Sequence, residues 1–85
     1  MLTFEDCLAM SELTEEEILA IAEHEHIPEL AALELGNYLV HAPKGEERIK
    51  RMILEDIEAA REEHDVHRTA ALKLVLKHFC AEHHV

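Results

Sequence analysis

Tryptophan is missing from the 85-residue chain, which carries only two phenylalanines and one tyrosine. Any core must therefore be assembled from Leu, Ile, Val, Ala and Met, which fill space by volume and supply no large anchor. Positive charge is missing from the first half. Residues 1 to 43 hold ten acids (Glu5, Asp6, Glu12, Glu15, Glu16, Glu17, Glu23, Glu25, Glu29, Glu34) and no Lys or Arg, a charge of −10. Residues 44 to 85 set eight basic residues against nine acids, so they carry only −1 of the formal −11. Nucleic acid and anionic membrane surfaces both demand a basic footprint, and neither is expected as a partner. An acidic half suits the basic helix of a neighbouring copy, or a protein partner with a basic surface.

Other absences narrow the class further. No run approaches 18 uncharged apolar residues, so a membrane span is not expected. The opening Met-Leu-Thr-Phe-Glu-Asp places acids where a secretory signal needs a basic region followed by an apolar run. Cys7 and Cys80 lie far apart, with no Cys-x-x-Cys spacing to suggest a disulfide framework or haem attachment. A reduced, cytoplasmic protein is the resulting expectation. There is no Gly-rich phosphate loop, no His-Glu-x-x-His motif, and Ser11 is the only serine. The chain reads as non-catalytic, and an enzymatic role would call for a metal.

The residues that are present favour helix. Ala, Leu, Glu and Lys dominate and β-branched alternation is absent. The length suits one domain, residues 1–85, acidic and helical. The expected fold is all-α, a small helical bundle of four main helices plus a short N-terminal helix. A domain this small buries only about 60–65% of its unfolded surface, which makes a homodimer the expected state. Thr3 can cap a first helix through Met10, with Asp6 facing the free amides. Thr14 with Glu15, Glu16 and Glu17 forms a capping box, stapled by Leu13 and Ile18, for a second helix over about 15–26. Pro28 opens a third helix, 28 to about 41, apolar around most of its circumference. In that helix Gly36 either admits a close neighbour or marks an early end. A fourth helix, about 45–64, sets Ile49, Ile53, Ile57, Ala60 and His64 on one stripe, with Lys44, Arg48 and Arg51 opposite.

A fifth helix, 66 to about 82, turns Leu72, Val75, Leu76 and Phe79 inward, with His83 in phase. One unbroken helix from 45 to 82 would instead bring His67, Ala71 and His78 to the core. That change of phase, with Asp65 as a cap, argues for a break at Glu63-His64-Asp65. The expected core is Ile18, Ile21, Leu33, Leu35, Leu39, Ile49, Ile53, Ile57, Leu72, Val75, Leu76 and Phe79, with Tyr38 near a seam.

Eight histidines are the compositional oddity. Histidine is the commonest metal ligand and titrates near neutrality. Glu23 and His26 form Glu-x-x-His, a spacing that projects two ligands from one helix face. In these four residues the chain resembles ferritin-like di-metal carboxylate proteins. A second Glu-x-x-His is absent, so the resemblance implies symmetric half-sites from several copies. Glu34, Asn37 and His41 form the polar strip of the third helix. Glu23, His26, Glu34 and His41 are therefore candidate ligands for a divalent ion, with Fe, Mn or Zn suited to the mixed nitrogen and oxygen donors.

The alternative for that strip is a plain solvent face. His24 is expected to be solvated. His64 and His67 could clamp an ion only if the helix ran unbroken, and His84 with His83 falls at a frayed end. His64 and His83, on apolar stripes, suit a core edge or subunit seam. Charging all eight would take the formal charge from −11 to −3 and favour a pH-dependent assembly. Lys44, Arg48 and Arg51, with Glu55 as the partner of Arg51, suit an intersubunit or partner contact more than a phosphate site. The functional expectation is a non-catalytic interaction or regulatory module that self-associates and binds a protein partner. The alternative is a non-haem metal-binding bundle.

Overall fold

The computed structural model describes residues 2–85. Its helices are α1 (Phe4–Ala9), α2 (Glu15–Glu25), α3 (Glu29–His41), α4 (Gly45–Glu62) and α5 (Val66–His83), with no strand among the described residues. Three of the starts are fixed by side chains. Thr3 Oγ1 accepts from the Asp6 amide at 3.1 Å while Asp6 returns the bond to the Thr3 amide. Thr14 and Glu17 close the same box on α2 at 3.2 and 2.8 Å. Asp65 Oδ1 accepts from the Arg68 amide at 3.0 Å, so α5 begins anew where the apolar phase changes. Pro28 stands just before α3 instead of within it, and its carbonyl accepts the Ala32 amide.

The helix ends explain the break. His26, His64 and His84 follow α2, α4 and α5 with φ of 57°, 58° and 57°, the left-handed region where histidine is tolerated better than most residues. At the first two, an amide reaches back five residues: Ile27 to Ala22 and Asp65 to Ala60, each at 3.0 Å. This is the Schellman closure, which satisfies orphan carbonyls and reverses the chain. α4 therefore ends at Glu62, and His64 leaves the stripe for solvent. Its expected place at a core edge is corrected by that turn.

α2, α3 and α4 pack on one another, α5 lies mainly on α4 and lightly on α2, and α1 rests on α3. Ile18, Ile21, Leu33, Leu39, Ile49, Ile53, Ile57, Leu72 and Phe79 are buried as expected, joined by Leu13, Met52 and four alanines, Ala20, Ala22, Ala32 and Ala60, that let helices approach. Leu35, Val75 and Leu76 are only partly buried against this core. Tyr38 stands 68% exposed. Gly36 lies mid-helix, so the early end does not occur. A Cβ there would come to 2.5 Å from Leu13 Cδ1, in the staple, and 3.3 Å from Ile21 Cδ1. Gly45 is tighter still, since a Cβ would fall 1.6 Å from the Leu39 carbonyl oxygen. The first residue of α4 thus sits directly on the backbone of α3.

Candidate functional site

The histidines fall into roles that the fold assigns one by one. Three end helices, as above. Four others, His24, His41, His78 and His83, each face a carboxylate. His67 lies exposed beside the shallow groove between α2 and α5. The ion pairs that join separate elements are mostly of this kind: His24 with Glu55, His41 with Glu12, His78 with Glu17 and His83 with Glu46. Arg68 with Glu23 is the arginine exception.

His24 departs most from expectation. Its side chain is 23% exposed, with Nδ1 2.8 Å from Glu25 Oε2 and Nε2 2.6 Å from Glu55 Oε1. Burial pulls its pKa down. Hydrogen bonds to Glu55 and Glu25 and the nearby charges of Asp56 and Glu25 outweigh that, and the net value is raised above 6.5. Next to it, burial raises the Asp56 carboxyl above 3.8, opposed by His24 and Arg68 and assisted by Glu23 and Glu55. Asp56 Oδ2 is buried without a hydrogen-bond partner among the described residues. The cluster joins α2, α4 and α5, and Glu55 is committed to His24, not to Arg51. One signal for it was present in the sequence: Asp56 interrupts the Ile49, Met52, Ile53, Ala60 stripe. No spacing rule, however, pairs residue 24 with residue 55.

The candidate metal ligands are dispersed. Glu23 is held by Arg68. His26 is the exposed residue that terminates α2. Glu34 lies exposed on α3, and His41, at its end, contacts Glu12 at 3.2 Å. No three His, Cys, Asp or Glu side chains among the described residues form a group able to hold a metal ion. Lys44, Arg48 and Arg51 are exposed, and among the described residues none has a carboxylate within ion-pair distance. Among the described residues no helix is long and apolar enough to cross a membrane.

The outer face of α5 is an exposed apolar surface. Its apolar residues surround the helix, yet only Leu72 and Phe79 are buried. Val66 and Leu74 stand 76% and 68% exposed, with Ala70 exposed between them at i, i+4 spacing. Lys73 and Lys77 flank this strip, and α2 across the groove carries exposed Glu15 and Glu16. Comparison of the chain with protein-family models, with curated proteins and with solved structures finds no match.

Proposed function

We propose that this chain is a small non-catalytic interaction module that pairs with a second copy through the outer face of α5 and leaves its acidic amino half for a protein with a basic surface. One observation carries the reading: α5 exposes Val66, Ala70 and Leu74 as a continuous strip while burying only two residues beneath it. Contiguous apolar surface of this kind marks contact sites in soluble proteins. Charge favours a second copy as the occupant. About a two-fold axis the same patch meets itself, so Lys73 and Lys77 of one copy would approach the Glu15 and Glu16 edge of the other. Lys44, Arg48 and Arg51, which form no ion pair among the described residues, offer a second contact to the acidic surface of a neighbour or partner.

Sedimentation of the untagged chain tests this. The expected result is a dimer that Leu74→Glu converts to monomer with unchanged helicity, and that high salt weakens. A wild-type monomer at every concentration would sink the reading. Metal analysis of the same preparation separates the competing idea: a stoichiometric ion lost in His26→Ala or Glu34→Ala would replace the interaction module with a metal-binding bundle.

A further inference from the structure

We infer that His83 is a proton-dependent clip that fastens the last turn of α5 to the start of α4 and to the turn between α1 and α2. Its side chain is only 6% exposed. The ring stacks on Phe79, with centroids 4.3 Å apart and planes at 26°. Nδ1 stands 2.6 Å from Glu46 Oε2 on α4, and Nε2 stands 3.1 Å from the Glu12 carbonyl oxygen. A carboxylate and a backbone carbonyl can only accept. A neutral imidazole has one N–H and one lone pair, so it can satisfy one of these partners and must turn the lone pair on the other. The imidazolium donates to both. A protonated Glu46 donating to Nδ1 while Nε2–H donates to Glu12 needs the same proton, held one bond away. In either arrangement the closed clip contains one proton more than neutral ring plus carboxylate.

The surroundings leave no substitute for that proton. On α4, Glu46 is the group that faces the ring, and Lys50, one turn further on, forms no ion pair with it. From the α1–α2 turn the ring meets the Glu12 carbonyl, while the Glu12 carboxylate contacts His41 of α3 at 3.2 Å. On α5 itself, Glu82 is directed to His78 at 3.8 Å. His84 is exposed and ends the helix. The clip matters for the last turn: Leu72 and the Arg68–Glu23 and His78–Glu17 pairs hold α5 before it, whereas at its end Phe79 lies directly under the His83 ring. Loss of the proton therefore loosens the last turn of α5 while α2, α3 and α4 keep their packing. This inference is independent of whether α5 binds a second copy.

The test uses the full chain labelled with nitrogen-15. Imidazole nitrogen shifts read the protonation of His83, and amide exchange reads the protection of residues 79–83 across the same pH series. At about pH 6 the shifts should show a proton shared across the His83 and Glu46 pair. As it leaves, exchange at 79–83 should accelerate by about tenfold beyond the intrinsic pH effect, with α2 to α4 unchanged. His83→Gln should exchange fast at every pH. Glu46→Gln, which replaces an acceptor-only group by an amide able to donate to Nδ1, should remove the pH dependence and keep the protection. A neutral single-tautomer His83 at about pH 6, or protection of 79–83 that ignores its titration, would overturn the inference, and both are read on the wild type.

Discussion

α4 and α5 have the same length, 18 residues each, and opposite distributions of apolar surface. α4 concentrates Ile49, Met52, Ile53, Ile57 and Ala60 on one buried stripe and gives most of the rest of its circumference to charge, with Leu54 and Ala59 the exposed apolar residues. α5 spreads Val66, Ala70, Ala71, Leu72, Leu74, Val75, Leu76 and Phe79 around its axis and buries two. A helix whose apolar surface is mostly used within the fold is a structural element. One with surplus leaves apolar surface to solvent, and that difference is what supports the contact proposed for α5.

The contrast breaks most visibly by truncation. Ile53→Ala removes a fully buried side chain from the core and should lower unfolding free energy by about 3 kcal/mol. Leu74→Ala, a loss of similar size from the exposed strip, should change it by less than about 0.5 kcal/mol. Urea denaturation of both variants at a concentration where the chain is monomeric gives the comparison. Equal losses would mean that α5 is as fully used as α4.

That asymmetry was half legible in the sequence. The five helices, the Thr3 cap, the Thr14 capping box and the break before Asp65 follow from local chemistry: Thr14 and Glu17 are three residues apart, and the change of apolar phase between Ala60 and Leu72 cannot be carried by one straight helix. What periodicity could not supply was the third dimension. His24 looked solvated because its own helix turns it away from the α2 stripe, yet Glu55 and Asp56 arrive from α4 to enclose it. Glu23 and His26 share a face by spacing, but Arg68 takes the one and a left-handed turn takes the other. Leu35, Val75 and Leu76 sit on inward arcs that a five-helix bundle of this size has no neighbour to cover fully.

A second prediction sharpens the comparison at the junction of α2, α4 and α5. His24 has a folded pKa raised above its ordinary 6.5, so its contribution is complete below that value and is lost as pH climbs through the folded value. Asp56 is also raised, above 3.8, so the folded chain holds that proton more tightly too, and its cost at neutral pH is relieved only on further acidification. Both groups make stability rise as pH falls. Between about pH 8 and pH 6 His24 contributes part of the gain, and His24→Gln should reduce the slope of that part of the denaturation profile. His67→Gln, at an exposed position with no ion-pair partner among the described residues, should leave it intact. An unchanged slope in His24→Gln would remove the cluster from the account.

The smallest expected effect bears on why the chain is rich in histidine at all. A residue at φ 58° carries a steric cost that glycine avoids, partly offset by the greater freedom glycine has when unfolded. If His64 serves only to end α4, His64→Gly should be neutral or stabilising by about 0.5 kcal/mol, and the break before Asp65 should persist. The same exchange at His26 tests the metal idea from the opposite side, because glycine preserves the Schellman turn that closes on Ala22 while deleting the imidazole. Retained stability with an unchanged oligomer would show that the turn is the selected property at residue 26. Retained stability with a lost binding property would show that the ring was presented by the turn for another purpose.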